Sequence, residues 1–515
     1  MGNALYKVVF TKSGQTTRAY GCDTTNRILR MTHPEQEWSQ KADILVDNRE
    51  GNLTALDLTG YTSTISYGYF TGVARTAWAA STVYAVGTYV IPTTANVNGY
   101  QYKCTTAGTS HTAEPTWGTA IGGTTTESTG VVWTLDGNDG DEYSACAPLE
   151  VISQQGVTDL NNGDLLTYFS AIGVFDFMGK DEASATYTLE SSDVQTVKTL
   201  LTAIANATMS CFSHCKNYTI TYDSEDSLID SFKPADSFSV GFKESRLSAF
   251  KRALGWTKCR ARIENTSGVA TIHVFDISAN TAPHYISGTT YNYEYNDAVT
   301  NHNFFEKSVR NRLIIPNRVY VKSHQDQGTY TGNATDATSY AALGRYIDEF
   351  NQLRVTSNSQ CTAIATAIMQ GYQLGYERGH GSAPLNCGQE VMDYVKITDS
   401  VASDTRTGNI GYLKRDVAPG KFDFEFRFGD IAVGGLPSFL PSSAADLTMS
   451  LSDRVSFLME GYESLADFYS RLLSMTETNA ANIKTMWDYL MNGGDDVWFK
   501  KLTVTEIMKI PGWDV

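Results

Sequence analysis

The chain is short of positive charge and of long apolar runs. Its 515 residues carry 40 Lys and Arg against 56 Asp and Glu, which gives a formal net charge of −16. Because a surface with this balance repels phosphate groups, specific nucleic-acid binding is disfavoured. No apolar run approaches the roughly 18 residues that cross a bilayer, and residues 1–12 lack the apolar core of a signal peptide. We therefore expect no transmembrane segment and synthesis in a cytoplasm.

Motifs of catalysis and of structural metal sites are also missing. The eight cysteines are scattered, and only Cys211 and Cys215, with His214 between them, are close in sequence. No second Cys/His pair follows, so buried thiols are favoured over a metal site. The chain has no phosphate loop, no His-Glu-x-x-His pair and no Gly-x-Ser-x-Gly elbow in the required setting. The sequence predicts no enzyme activity, no metal and no cofactor, although carboxylate pairs for glycan hydrolysis are recognisable only in space.

Two polar segments have both a functional and a structural interpretation. Residues 136–142 crowd oxygen ligands like a calcium loop but lack its glycine and distal glutamate, so a turn is favoured. His380 lies between two glycines that permit close approach, and a loop or interface role is favoured for it.

The composition favours strands and turns over helical bundles. Only 19% of the residues are charged, and Gly, Ser, Thr, Asn and Tyr are plentiful, which is typical of a β-rich assembly protein. Composition shifts and periodicity divide the chain into five units: a first barrel-like domain in 1–74 and 138–150, an inserted module in 75–137, an α+β domain in 151–300, a second barrel-like domain with a helical insert in 301–436, and a linker, coiled-coil helix and tail peptide in 437–515.

Hydrophobic periodicity places the elements within these units. Alternation predicts strands at 5–10, 42–47, 64–70, 186–189, 218–222, 271–277, 312–322, 390–398 and 421–429. In the last of these, phenylalanines alternate with polar residues, so one face should be aromatic and buried. Three-and-four spacing predicts helices at 193–209, 244–256, 339–352 and 360–376, the first with Asp193 as its N-cap.

The C-terminal segment has a period of its own. Apolar residues step by four and three along the oligomerisation seam Leu451, Val455, Leu458, Tyr462, Leu465, Tyr469, Leu472, Ile483, Met486 and Leu490, with Thr476 and Asn479 filling two polar steps. A 3.5-residue period held for about 40 residues predicts a left-handed coiled coil about 60 Å long. The alternative is an amphipathic helix packed on its own domain, which would drift to a 3.6 period. We favour the coiled coil and therefore self-association.

The inserted module is unusually aromatic. It contains Trp78, Tyr84, Tyr89, Tyr100, Tyr102, Trp117 and Trp133. Flat rings of this kind bind the apolar faces of sugars. A domain of this size also needs large side chains as its core, so both interpretations stay open.

The spacing of these residues is similar to that of a known family. The module reads Trp78-x5-Tyr84-x2-Gly87, then Asn98-Gly99-Tyr100-x-Tyr102-x-Cys104, Glu114-Pro115-x-Trp117 and Val132-Trp133. It resembles the small carbohydrate-binding modules of the chitin- and cellulose-binding type, which recur as insertions in phage tail proteins. The resemblance implies that exposed aromatic side chains bind sugar, with Trp78, Tyr84, Trp117 and Trp133 as the candidates.

Stretches near both ends of the chain resemble a second family. They read Asp43-Ile44-Leu45-Val46-Asp47-Asn48, then Gly388-Gln389-Glu390-Val391, and later Pro419-Gly420-Lys421-Phe422. They are similar to the two barrel domains of the baseplate or tail hub proteins of tailed bacteriophages. The resemblance implies a mainly β fold with an α+β middle and two hub-type barrels. It also implies a homotrimeric ring whose two barrels per chain imitate sixfold symmetry around a channel for DNA and tape-measure protein.

The sequence thus favours a structural virion protein at the tail tip or baseplate, made in the cytoplasm of a bacterial host. The implied partners are the tail tube or distal tail protein, tail-tip or fibre proteins, the tape-measure protein and a host surface glycan. One alternative is a receptor-binding tail-tip protein that recognises such a glycan. The other is a tail-associated glycan hydrolase.

Overall fold

The computed structural model describes residues 4–21, 27–51, 53–159, 164–223, 226–276, 291–297, 307–312, 315–323, 328–374 and 377–428. The protein is mainly β, with several sheets and a smaller share of helix, as predicted. The predicted coiled-coil seam from Leu451 to Leu490, the linker before it and the tail peptide lie outside the described residues. Within the described ranges, no helix is long and apolar enough to span a bilayer.

The first β unit begins with five strands: β1 (Ala4–Thr11), β2 (Arg18–Gly21), β3 (Ile28–Gln36), β4 (Ser39–Asp47) and β5 (Thr62–Phe70). The segments 5–10, 42–47 and 64–70 lie in β1, β4 and β5, so these three predicted strands are confirmed. The inward side chains Tyr6, Val8 and Phe10 of β1 alternate as a strand with one buried face requires.

The inserted module forms small sheets with a core of its own. Its strands are β6 (Thr76–Ala77), β7 (Val83–Tyr84), β8 (Tyr89–Ile91), β9 (Tyr100–Thr106), β10 (Gly108–Thr109), β11 (Thr124–Thr126) and β12 (Val132–Asn138). Five of them pair in the order β11-β12-β9-β8-β6, while β10 pairs with β7. After the module the chain enters β13 (Asp141–Ala145), which pairs antiparallel with β5, Asp141 lying opposite Phe70. The module therefore interrupts a hairpin of the first β unit.

The first β unit runs further along the chain than the sequence suggested. Strands β14 (Leu149–Asp159) and β15 (Asp164–Ile172) pair with each other, and β15 also pairs with β4. The sheet thus continues to Ile172, past the predicted boundary at residue 150. Much of β14 is exposed, including Ile152 and Val157, so it lacks the inward alternation that reveals a half-buried strand.

The middle of the chain has α+β architecture. Its elements are α1 (Val174–Lys180), β16 (Tyr187–Thr188), α2 (Val197–Ala205), β17 (Thr219–Asp223), α3 (Ser227–Ser231), β18 (Ser239–Val240), α4 (Arg246–Leu254), β19 (Cys259–Thr266) and β20 (Val269–Asp276). Strands β17, β20 and β19 form a three-stranded sheet. Apolar residues of α2 and α4 share one core with this sheet.

Helix α2 is shorter than predicted and has a different cap. The Thr196 side chain accepts a hydrogen bond from the Thr199 backbone N–H at 3.3 Å and caps the helix. The Asp193 carboxylate instead accepts from the Glu190 N–H at 2.6 Å, which closes a turn before the helix. Assigning Asp193 as the N-cap was therefore wrong, because its acceptor oxygen is already used locally.

The last part of the described chain returns to β structure. Its elements are β21 (Tyr293–Asn296), β22 (Lys307–Arg312), β23 (Arg318–Ser323), β24 (Thr331–Thr335), α5 (Ala337–Leu343), β25 (Asp348–Leu353), α6 (Asn358–Leu374), β26 (Glu377–Pro384), β27 (Tyr394–Asp399), β28 (Asp404–Ala418) and β29 (Lys421–Phe428). The predicted helix 339–352 is wrong in its second half. Helix α5 ends at Gly344, whose left-handed backbone (φ 64°) stops it, and β25 then pairs with β23.

One continuous sheet joins the two ends of the described chain. Strand β28 pairs antiparallel with β3, from Tyr412 opposite Gln36 to Val417 opposite Met31. The main path runs β2-β1-β5-β14-β15-β4-β3-β28-β29-β26-β22. We call strands β26 to β29 the second β unit and the β3/β28 pairing the joint. The sequence predicted two barrels, but within the described strands the pairing does not close into one.

Strand β29 has the aromatic face that its sequence predicts. Phe424, Phe426 and Phe428 are buried, whereas Glu425 and Arg427 between them are exposed. Both neighbours of β29, β28 and β26, belong to the same sheet. The second β unit therefore contributes these rings to the core that it shares with the first.

Candidate functional site

The four sugar-binding candidates lie inside the inserted module. Trp78, Tyr84 and Trp117 are 6%, 7% and 9% exposed, and Trp133 is fully buried. The rings contact one another, with centroids 4.9 Å apart for Tyr84 and Trp133 and 6.0 Å apart for Trp117 and Trp133. These residues form the core of the module, which is the alternative that the sequence left open. The assignment of sugar binding to these four rings is corrected accordingly, because sugar stacking needs an open ring face.

The carboxylates of one buried and one half-buried glutamate accept the hydrogen bonds of three indole rings in the module. Glu127, 4% exposed, accepts hydrogen bonds through Oε1 from the indole N–H groups of Trp78 at 3.0 Å and Trp133 at 2.6 Å. Its Oε2 accepts from the His111 backbone N–H at 2.5 Å. Glu114 accepts from the Trp117 indole at 2.8 Å. Each buried N–H is thereby satisfied, as a core with polar donors requires.

The module is fixed to the first β unit by a buried lysine. Lys7 of β1 is 4% exposed, and its Nζ lies 2.9 Å from Asp136 Oδ1 and 3.8 Å from the centroid of the Tyr143 ring. The Tyr89 hydroxyl donates to the other oxygen of Asp136 at 3.1 Å. Although burial opposes it, Lys7 holds the pKa of Asp136 below its ordinary value. Asp136 of the suspected calcium segment is therefore engaged in an ion pair, and residues 139–140 of the segment form a turn between β12 and β13.

The joint contains a buried ion pair between the two β units. Arg415 of β28 donates a short hydrogen bond to Glu35 Oε2 of β3 and a second one, at 2.6 Å, to the Gln389 carbonyl. Glu35 Oε1 accepts from the Gln40 side chain at 3.0 Å. Burial raises the pKa of Glu35, but Arg415 more than compensates and the pKa lies below its ordinary value. The carboxylate is charged and bound on both oxygens.

A second buried arginine connects the middle domain to the second β unit. Arg262 of β19 lies 2.7 Å from Glu264, 3.0 Å from Glu390 and 3.4 Å from Asp393, measured between nitrogen and oxygen. One guanidinium thus faces three carboxylates. Burial raises the pKa of Asp393 to about 7, against the lowering effect of Arg262. This cluster holds more negative than positive charge at high pH.

Protonation of Asp393 should make the stability of the protein depend on pH. Because its pKa rises from 3.8 to about 7 on folding, the folded state binds a proton that the unfolded state has lost. Between about pH 4 and 7 this group should lower the free energy of unfolding by about 1.4 kcal/mol per pH unit as pH rises. Urea unfolding of Asp393→Asn across this window should show a slope that is shallower by this amount. The exposed turn variant Asp139→Asn is the control, and an equal slope in wild type and Asp393→Asn would contradict the prediction.

The other sequence candidates have structural positions. Cys211 is buried in the middle core, where burial raises its pKa to about 11, and Cys215 Sγ lies 3.6 Å from His214 Nε2. The ligand atoms of these three residues do not all converge within 4.8 Å. Of the loop and interface roles expected for His380, the loop is wrong, because His380 lies in strand β26 opposite Arg427. The interface role stays a prediction.

Sequence reasoning missed both arginine clusters, although β28 carries a signal. Leu413, Arg415 and Val417 alternate along the strand, and all three are buried. An arginine on the apolar face of an alternating strand indicates a buried carboxylate partner, since burying an unpaired charge is prohibitive. The sequence does not indicate that this partner is Glu35. The residues of one strand do not specify which distant strand it pairs with.

Among comparisons with known proteins, only the comparison with solved structures found similar proteins. No family model and no curated protein matches the chain. A tail protein from Neisseria meningitidis is 9% identical, with 83% of this chain and 99% of that protein covered and a TM-score of 0.45. The 43 kDa tail protein of prophage MuSo2 from Shewanella oneidensis is 10% identical, with 84% and 100% covered and a TM-score of 0.42. Prophage tail protein gp18 from Listeria monocytogenes is 10% identical, with 82% and 94% covered and a TM-score of 0.40. All three of these structures are tail proteins, and two of them come from prophages.

Proposed function

We propose that this protein is a structural tail-hub subunit that joins the tail tube to the tail tip. The observation that carries the proposal is the joint, through which an N-terminal and a C-terminal β unit form one sheet. A subunit with two β units side by side offers two comparable attachment positions for tube subunits. Three copies around an axis would then offer six such positions, which is the arrangement needed between a threefold tip and a sixfold tube.

The buried charges of the protein support a rigid structural role. The Arg415–Glu35 pair bridges the joint, Arg262 connects the middle domain to the second β unit, and Lys7 fixes the inserted module. Buried ion pairs contribute little net stability but strongly disfavour arrangements that separate the partners. The relative positions of the joined parts are therefore specified, as a connector that transmits force requires. This role needs no catalysis.

The proposed assembly is a homotrimer around a channel for DNA and tape-measure protein. The net charge of −16 supports a lumen that repels rather than retains a passing polyanion. The proposed partners are the tube or distal tail protein on one side and tip or fibre proteins on the other. The predicted coiled coil would hold the three copies on the axis, with Leu458 and Leu465 in its seam.

Light scattering of the full chain tests the oligomeric state. We expect the mass of a trimer, and Leu458→Asp combined with Leu465→Asp should dissociate it because the seam would bury unpaired charge. The matched control carries Ser456→Asp and Ser464→Asp, which place the same charges off the seam, and it should remain trimeric. A wild-type chain that is monomeric at all concentrations would contradict the hub proposal. Dissociation of both variants would contradict the coiled-coil seam alone.

The receptor-binding alternative no longer has candidate residues, because the four aromatic rings belong to the core of the module. It would be supported if the full chain were retained on chitin or on host envelope glycans and a control protein were not. We do not expect this retention.

The hydrolase alternative predicts that the full chain clears peptidoglycan or chitin in a zymogram. We do not expect clearing.

A further inference from the structure

Three potential metal ligands converge beside the joint. His33 and Glu35 are two residues apart on β3 and therefore lie on the same face of the strand, and Cys146 directly follows β13. Their ligand atoms all lie within 4.8 Å of one another, and no other three-ligand group of this kind occurs in the described ranges. The distance from His33 Nε2 to Glu35 Oε1 is 3.6 Å, as expected for two ligands of one tetrahedral ion.

The His33 ring is oriented so that one nitrogen is available. Its Nδ1 lies 3.3 Å from the Tyr67 hydroxyl, whereas Nε2 is buried and has no hydrogen-bond partner among the described residues. Buried polar atoms are rarely left in this state, so the orphan nitrogen itself points to a ligand. Neutral imidazole binds metal ions through the lone pair of such a nitrogen. A hydrogen-bond partner on the other ring nitrogen, such as the Tyr67 hydroxyl, is typical of metal-bound histidine.

A small cavity adjoins these potential ligands, and their charges can balance those of a metal ion. Glu35 and Cys146 line a cavity of about 30 Å³, enough for one ion or one water, and Cys387 lines it too. The nearby Arg415 disfavours an added cation, and any bound ion must overcome this repulsion. The Glu35 carboxylate and the Cys146 thiolate would together carry two negative charges, which balance those of a divalent ion.

We propose that His33 Nε2, Glu35 Oε1 and Cys146 Sγ form a buried site for a divalent transition metal of the zinc class, with a water molecule as the fourth ligand. Nitrogen, oxygen and sulfur together select Zn²⁺ or Co²⁺ over Mg²⁺ and Ca²⁺, which prefer oxygen alone. A cysteine binds a metal ion as the thiolate. Binding through Cys146 Sγ therefore releases one thiol proton to solvent.

Loading the full chain with Co²⁺ tests the proposal directly. The protein is stripped with a chelator under reducing conditions and titrated with Co²⁺, then with Zn²⁺ in competition. We expect one Co²⁺ per chain and a thiolate-to-cobalt charge-transfer absorption. Cys146→Ser should abolish this absorption and lower Zn²⁺ affinity by at least about 100-fold. Tyr67→Phe, which removes the hydroxyl beside His33 Nδ1, should lower Zn²⁺ affinity by about tenfold.

The control is Cys215→Ser, which removes the other cysteine that has a neighbouring histidine. It should bind Co²⁺ with an unchanged spectrum. Absence of the charge-transfer absorption in the wild-type chain overturns the proposal without any variant, as does its persistence in Cys146→Ser or its loss in Cys215→Ser. Thermal unfolding of each variant verifies that it is folded before the titration is interpreted.

Discussion

Replacing Arg415 by methionine should lower the free energy of unfolding by about 3 to 5 kcal/mol. The variant fills the same space but leaves the Glu35 carboxylate charged and buried, with the Gln389 carbonyl deprived of a donor. The loss of stability arises mainly because the unpaired Glu35 carboxylate stays buried away from water. The lost attraction between Arg415 and Glu35 contributes less. Urea unfolding of the full chain, followed by circular dichroism, measures it as a lower midpoint.

Two companion variants separate the buried pair from charge removal in general. Arg49→Met breaks the pair with Asp47, in which the arginine side chain is 72% exposed, and should change stability by less than about 1 kcal/mol. The double variant Arg415→Met with Glu35→Met removes both charges of this pair and should regain most of the lost stability. If Arg415→Met is no less stable than Arg49→Met, the joint does not depend on this pair.

Replacing Glu127 by leucine should destabilise the inserted module by about 3 to 9 kcal/mol. The change leaves the Trp78 and Trp133 indole N–H groups and the His111 backbone N–H without acceptors. Each buried donor without a partner costs about 1 to 3 kcal/mol. Hydrogen exchange should then show the module opening while the first β unit stays protected, since each has its own core.

The matched control is Glu142→Leu, which removes an exposed carboxylate of β13 beside the module. Surface substitutions of this kind usually change stability by less than about 0.5 kcal/mol. Unchanged protection of residues 75–137 in Glu127→Leu would show that the indole groups find other acceptors. Equal loss of protection in both variants would mean that the buried carboxylate has no special role.

The sequence predicts those parts of the fold that depend on neighbouring residues and fails for those that depend on distant pairing. The phenylalanine alternation in β29 reveals a strand and its buried face, because burial and spacing coincide in eight consecutive residues. Segment 348–353 reads as helix but forms β25, because pairing with β23 overrides local propensity. The module illustrates a different limit. Composition identifies an aromatic domain, but only the fold shows that Trp133 faces inward.

The joint has a consequence for how the protein is made. Glu35 and Arg415 are separated by 380 residues, so at 5 to 20 residues per second the ribosome exposes β3 about 20 to 80 s before its partner strand emerges. During that interval the backbone N–H and C=O groups on one edge of β3 are unpaired, and strands of other chains can pair with them. Contacts of such high sequence separation also slow folding. A truncated chain that ends before β28 should therefore aggregate during translation, and the yield of soluble protein should depend on chaperones that hold β3 until β28 arrives.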